Sequence, residues 1–176
     1  DMMMTTSSLF SPFTGETLPD RISRISCVIE LPAGAGFVRL ASSDPAVQPK
    51  FDYRYFRHPE DMRRMRDGIR LAVKLLETDA YRDVSEERVS PTEDILGDDD
   101  ALDLWIRQTV GSARHVSGTC KIGPDSDHMA VVDQQCRVKG FRGLWIADSS
   151  VMPQVPRANA NATAIMIGER VGEWAA

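Results

Sequence analysis

The sequence predicts an α+β fold in two parts. Residues 1–112 are expected to form an antiparallel sheet with packed helices, and residues 113–176 to supply a strand and a helix that complete an α/β domain. Three observations point there. Strand-like runs occur at residues 25–31 and 37–41, and Phe51, Tyr53 and Tyr55 recur at period two, the spacing of a half-buried strand. Met62, Met65, Ile69, Ala72, Val73 and Leu76 recur at helical spacing. After Gly111 the character changes: the apolar run Leu144-Trp145-Ile146-Ala147 leads into the polar turn Asp148-Ser149-Ser150, and an apolar-rich helix follows.

Taken in order, residues 1 to about 23 read as an irregular lead-in, because Phe10, Phe13 and Leu18 show no period. Met2-Met3-Met4 is a short apolar patch rather than a signal. Pro32 ends the first strand, since proline has no N–H for a ladder. Ala33-Gly34-Ala35-Gly36 is a turn, so the runs at 25–31 and 37–41 are expected to pair as a hairpin. It is not a nucleotide loop: the third glycine is missing and a strand follows it. Asp44-Pro45 and Gln48-Pro49 mark a loop. His58-Pro59-Glu60-Asp61 opens a helix, with proline where a missing N–H costs little and two acids at the positive end of the dipole. That helix should lay an apolar stripe on the preceding sheet. Residues 79–100 are polar and acidic, expected as a surface loop ending in a helix cap. A second helix over 101–109 turns Leu102, Trp105 and Ile106 inward. Further on, residues 113–123 are expected as a buried strand and turn, 129–132 and 136–138 as short strands around Asp133-Gln134-Gln135, and 144–147 as a buried strand. The last helix is expected from about Thr163 to Trp174, with Ile165, Met166, Ile167 and Val171 as its apolar bulk.

A chain of 176 residues is long enough to bury a core as one domain or two. Its net charge of −5 gives no reason to expect a nucleic acid or an anionic membrane as partner. No apolar run is long enough for a membrane span. Three cysteines, Cys27, Cys120 and Cys136, without regular spacing argue against a disulfide framework and for a reducing compartment. The first residue is Asp, which fits a fragment, a processed product or one piece of a larger assembly.

His115 is the sharpest candidate for chemistry. A lone histidine beside apolar residues is most often structural. Here Ser117-Gly118-Thr119 follow it and permit close backbone approach to a ligand. A neutral imidazole can take a proton from an alcohol hydroxyl. The run Asn159-Ala160-Asn161-Ala162-Thr163 opens the last helix. Its plain reading is a cap, with Asn161 or Ala162 the last non-helical residue and polar side chains on the free N–H groups. The same geometry also offers donors and partial positive charge to an anion. Asp148, at the carboxyl end of the expected strand, can hold a ligand hydroxyl or orient a loop. Ser149 and Ser150 lack the Gly-x-Ser-x-Gly frame of a serine hydrolase. His115, Cys120, His128 and Cys136 fit no common zinc spacing, so no metal is expected. His58 and His128 read as exposed loop residues, and Cys120 as packing.

Three blocks carry a family resemblance: His115-Val116-Ser117-Gly118-Thr119-Cys120-Lys121-Ile122-Gly123; Leu144-Trp145-Ile146-Ala147-Asp148-Ser149-Ser150-Val151-Met152-Pro153; and residues 159–169, which begin Asn159-Ala160-Asn161-Ala162-Thr163. In composition, order and separation they resemble the C-terminal part of the glucose–methanol–choline (GMC) flavin oxidoreductases. Residues 37–45 extend the likeness, which covers nearly the whole chain from about residue 25. Val155-Pro156-Arg157-Ala158-Asn159 favours the bacterial choline-dehydrogenase-like and hydroxymethylfurfural-oxidase-like branch.

The resemblance implies FAD as cofactor, residues 1–112 as a portion of the substrate-binding domain, and residues 113–176 as a flavin-facing segment completing the FAD-binding domain. It implies oxidation of a small alcohol, with His115 accepting the hydroxyl proton, hydride passing from the alcohol carbon to flavin N5, and Asn159 bonding the same oxygen. Asp148 and Ser149 then lie beside the ribityl and pyrophosphate, and Asn159, Ala160, Asn161 and Ala162 beneath the isoalloxazine; Thr163 joins the cofactor-facing set at the helix start, which favours an anionic reduced ring. Arg114 joins the cofactor-facing set, at a position often aromatic or apolar in relatives. Thr163-Ala164 replace the Pro-Thr of many members, although Thr163 can still hydrogen-bond at the helix start. The Gly-x-Gly-x-x-Gly loop and acidic ribose ligand of the family's N-terminal half are absent from the chain. The expected partner is therefore that N-terminal FAD-binding half, as a missing segment or a second chain. A bacterial cytoplasmic location is expected. Two alternatives stay open: an FAD-containing hydroxynitrile lyase that uses the histidine as acid–base, and a non-catalytic association module.

Overall fold

The computed structural model describes residues 1–7, 22–85 and 87–176. Phe10, Phe13 and Leu18 of the expected lead-in lie outside the described residues. The chain is a mixture of helix and sheet and divides into two compact units, one of residues 1–36 and 52–113, the other of residues 37–51 and 114–176.

In the first unit, β1 (Met2–Ser7) pairs antiparallel with β2 (Arg24–Ile29), Met2 opposite Ile29 and Ser7 opposite Arg24. This corrects two expectations. The start of the lead-in is a strand, and the partner of β2 is β1 rather than the run at 37–41. Alternation marks a strand but says nothing about its neighbour; the half-buried methionines of β1 supply the apolar partner face. The expected helix forms as α1 (Pro59–Leu76). His58 is its N-cap, and its Nδ1 accepts the Glu60 N–H at 3.3 Å. Met62, Ile69 and Ala72 are buried, and α1 lies on β2 as the stripe requires. Gly68 is in the helix interior because a side chain there would run into the Met2 thioether.

Asp61 is buried at 4% exposure. Its carboxylate accepts the N–H groups of Ala33 and Gly34, both at 2.8 Å, and sits 3.6 Å from Arg64. One acid thus clamps the turn after β2 onto the first turn of α1.

The stretch expected as a loop contains two short helices, α2 (Asp79–Arg82) and α3 (Glu93–Gly97). Single turns are too short to show a period. α4 (Asp99–Thr109) is capped by the Asp98 carboxylate, which accepts the Ala101 N–H at 2.8 Å. Leu102 and Ile106 are buried, and half-buried Trp105 donates its indole N–H to Ser90 at 3.0 Å. Phe56, Met62, Ile69, Leu102 and Ile106 form the core, with Cys27 and Ile29 packed against it.

The expected third strand at 51–55 is shorter, β4 being Lys50–Asp52. It stops because Arg54 and Phe56 take left-handed backbone, φ 52° and 56°. Tyr53 and Tyr55 instead stack, with ring centres 5.1 Å apart. β4 pairs with β3 (Phe37–Arg39).

The second unit has little regular sheet. Its middle is held by isolated bridges: Ile122 with Val132, Val132 with Val138, and Arg137 with Trp145. The strands expected at 113–123, 129–132 and 136–138 reduce to these contacts. The expected buried strand at 144–147 is also corrected: only Trp145 bridges, Leu144 is 47% exposed, and Ala147 is exposed. Four apolar residues in a row fit an extended segment in a knot of turns as well as a strand. Val132, Cys136, Val151 and Val171 form this unit's core. The final helix, α5 (Asn161–Ala175), starts earlier than expected. Val171 is buried and Ile167 packs against the core, whereas Ile165 and Met166, expected as inward bulk, are 59% and 52% exposed. Among the described residues no helix is long and apolar enough to cross a membrane.

Candidate active site

The candidate residues cluster around a 3-10 turn, Ser149–Val151. Asp148 caps it, its carboxylate accepting the Ser150 N–H at 2.8 Å. The sequence predicted Asp148 as a ligand holder or a loop orienter; in the structure its recorded bond is the second kind, and the side chain is exposed.

The segment after His115 runs along this turn. The Ser149 hydroxyl donates to the Val116 carbonyl at 3.1 Å. Cys120 N–H donates to Ser150 O at 2.9 Å, and Ile122 N–H to Val151 O at 2.8 Å. Gly118, at φ +83°, makes the corner; a Cβ there would meet the Met152 carbonyl at 3.3 Å. These bonds make 116–122 a guided strap rather than a free loop. His115 is half-buried at its leading end, and Arg114 before it is exposed with left-handed backbone, φ 62°.

The far side of the strap is tied down by charge. Lys121 Nζ lies 2.6 Å from Asp127, and that bond, followed by the Met129 N–H, holds the Asp127 carboxyl below the usual range. Burial works the other way on Asp133, but the N–H groups of Arg137 and Gln135 and the Arg137 guanidinium hold its carboxyl low. The lysine and the two acids were not singled out from the sequence, where nothing distinguishes them from a solvated charge run.

α5 packs on the same turn, with Ile167 and Val171 against the core that holds Val151. Ala160 is its N-cap, with no side-chain bond to the helix start, and its carbonyl accepts the Ala164 N–H at 2.9 Å. This corrects the cap reading: Asn161 is already helical, and no side chain caps the first N–H groups. The helix therefore opens on main-chain donors with a partial positive charge. Ala160 is buried at 4% exposure, between exposed Asn159 and Asn161; Thr163 is half-buried.

The structure thus brings the main chain after His115 against the Asp148–Val151 turn, and α5 packs on the same turn through its middle, where Ile167 and Val171 share a core with Val151. Among the described residues no hydrogen bond joins His115 to Asn159. These segments carry an imidazole, carboxamides and, at the uncapped helix start, main-chain N–H donors. Among the described residues no cluster of three or more His, Cys, Asp or Glu side chains is placed to hold a metal ion.

Comparison with known proteins bears on this arrangement. A family model described as GMC oxidoreductase matches residues 32–168. The oxygen-dependent choline dehydrogenase of Photobacterium profundum is 39% identical over 142 residues, covering 81% of this chain and 25% of that protein. A GMC-type oxidoreductase of Rhodococcus erythropolis is 36% identical over 146 residues, 83% of this chain and 28% of that one. Among solved structures, a fungal aryl-alcohol oxidase superposes with TM-score 0.73 at 29% identity, covering 93% of this chain and 27% of the other. The formate oxidase of Aspergillus oryzae, whose structure concerns FAD modification, matches with TM-score 0.76 at 25% identity over 86% of this chain and 26% of the other. The chain spans about a quarter of the length of these relatives. With the model matching from 32 to 168 and so taking in the strap, the turn and the start of α5, the chain belongs to the GMC oxidoreductase family.

Proposed function

We propose that this chain is the C-terminal part of an FAD-dependent oxidoreductase that oxidises the CH–OH group of a small alcohol, residues 1–112 contributing to its substrate side and residues 113–176 to its flavin side. The observation that supports the reading is that α5, whose first N–H groups no side chain caps, packs on the turn that also holds the strap behind His115. FAD, when bound, supplies the hydride acceptor. His115 accepts the hydroxyl proton, and Asn159 bonds the same oxygen and fixes its lone pairs. With FAD bound, the open N–H groups of Asn161, Ala162 and Thr163 would be the donors for its electron-rich ring edge, where fixed dipoles stabilise developing negative charge without reorganising. Asp148 and Ser149 hold the turn on which α5 packs, and Arg114, next to His115, would join the cofactor-facing set.

The chain needs the FAD-binding half to complete the site: it spans about a quarter of the length of its relatives, and it has no Gly-x-Gly-x-x-Gly loop of its own. The test is anaerobic. The chain assembled with that half and FAD is mixed with a panel of small alcohols that includes choline and aromatic alcohols. Bleaching of the yellow colour by any of them supports the reading. A flavin that stays oxidised with all of them, while the assembly cleaves a cyanohydrin, replaces it with a lyase.

A further inference from the structure

The chain holds 26 acidic residues against 21 lysines and arginines, but they avoid the stretches that carry the candidate pair. No Asp or Glu occurs from residue 104 to 124, around His115, or from 149 to 168, around Asn159. The lysines and arginines there are Arg107, Arg114, Lys121 and Arg157. Arg107 donates to the Phe56 carbonyl at 3.4 Å in the first unit, and Lys121 lies 2.6 Å from Asp127. Arg114 and Arg157 are exposed in the second unit, one directly before His115 and the other two positions before Asn159. The acid closest to them in the chain, Asp148, caps its own turn through the Ser150 N–H. Arg114 has left-handed backbone, φ 62°. Glycine adopts that region without strain, whereas a long side chain is kept there at a cost. Consecutive side chains of extended backbone point to opposite faces, and a left-handed residue breaks the alternation. The guanidinium is therefore not obliged to point away from the imidazole.

We infer that Arg114 and Arg157 form a carboxylate subsite beside His115 and Asn159, so that the alcohol taken there is a hydroxy acid; this rests on the proposed oxidation of an alcohol between those two residues. A planar guanidinium meets a carboxylate with paired N–H bonds and keeps its charge at any working pH. In that reading the hydroxyl lies between His115 and Asn159. Cations one and two residues away along the chain then serve the next few atoms of the substrate, and Arg114 stands at the substrate end of the cofactor-facing set. The carboxylate takes no part in the bond changes; it fixes which end of the substrate meets the base. The same two charges repel a trimethylammonium group, which disfavours choline.

The test uses the chain assembled with the FAD-binding half and FAD. Benzoate, which has no hydroxyl to oxidise, is titrated while the flavin absorption spectrum is followed. The assembly is then mixed anaerobically with para-(hydroxymethyl)benzoate, benzyl alcohol and choline. Benzoate should shift the spectrum, with affinity weakened about tenfold or more by Arg114→Gln or Arg157→Gln, the scale of a lost charge-assisted bond. Para-(hydroxymethyl)benzoate should reduce the flavin about tenfold or more faster than benzyl alcohol at equal low concentration. The quantity read in each variant is the ratio of the acid to the neutral alcohol, from which any general loss cancels. That ratio should fall toward unity when both arginines are replaced by Gln. Arg157→Glu should move preference toward choline, a gain that poor folding does not mimic. No spectral shift with benzoate, or equal rates for acid and neutral alcohol in the parent assembly, overturns the inference. Gln variants that lose FAD and keep the ratio assign the arginines to the cofactor and also overturn it. Benzoate binding that needs both arginines, without bleaching by any alcohol, leaves the carboxylate subsite standing and removes the oxidoreductase reading, so the two fail separately.

Discussion

The Ser149 hydroxyl donates to the Val116 carbonyl at 3.1 Å. This bond ties the residue directly after His115 to the turn on which α5 packs. Ser149→Ala removes the donor and leaves the carbonyl to water, at a cost of about 1 kcal/mol in urea unfolding. In the assembled enzyme the larger effect is on rate, because the strap that positions the imidazole loses its tie nearest the ring. Flavin reduction slows about tenfold, with substrate affinity little changed. Equal loss of stability and no loss of rate would make the bond purely structural.

His115→Ala removes the proposed proton acceptor. Flavin reduction by alcohol in the assembly should fall by about a hundredfold or more, the usual scale for a general base. FAD content should not change, because the open donors at the start of α5 are main-chain groups. Stopped-flow reduction at the unaltered rate would dismiss His115 as the base.

The parts legible in the sequence are those with a strong local signature. α1 announced itself through period, Pro59 and first-turn acids, and α4 through Asp98 and the Leu102 and Ile106 stripe. The pairing of β2 with β1 was not legible, because register depends on a partner far away in the chain. The run at 144–147 misled because apolar content does not distinguish a ladder strand from a segment pinned among turns. At the site, Gly118 reads in the sequence as room for a ligand against the backbone, whereas the group that faces its Cα in the structure is the Met152 carbonyl. The role of Asn161 was misjudged: a polar residue before an apolar run usually caps, but here it begins the helix and leaves the cap to Ala160. The outward Ile165 and Met166 were read as core because a helix with apolar residues on both faces does not say in its sequence which face packs.

Asp61 gives a stability test independent of the site. Its carboxylate satisfies the N–H groups of Ala33 and Gly34 while almost fully buried. Asp61→Ala leaves two donors unmet and should cost about 3 kcal/mol in chemical unfolding. Asp61→Asn retains one acceptor oxygen and should recover part of it. A loss below about 0.5 kcal/mol for the alanine variant would show that the clamp contributes nothing net.

Acid should weaken the second unit first. Lys121 and the Met129 N–H hold Asp127 below its ordinary range, and main-chain donors and Arg137 overcome burial to do the same for Asp133. A carboxylate with a depressed folded pKa stabilises the fold above its unfolded value of about 3.9, and this contribution disappears as pH falls through the folded pKa. The two acids therefore leave melting unchanged between pH 7 and about 5 and destabilise the strap below about pH 4. Asp127→Asn should lower stability at pH 7 and flatten the acid limb in melts monitored by circular dichroism.

Base should act through Cys27 in the first unit. Burial pushes its thiol up to about 11. A raised folded pKa reverses the sign of the linkage: the unfolded chain loses its proton near pH 8.5 while the folded chain keeps it, so stability declines as pH rises from there through about 11. Cys27→Ala removes the titration, at the cost of a small void beside the core that Cys27 packs against. Its melting temperature should start lower at pH 7 and fall less steeply between pH 8.5 and 11 than that of the parent chain. Parallel alkaline limbs for the two proteins would mean that the thiol ionises as readily folded as unfolded, and that its burial does not restrain it.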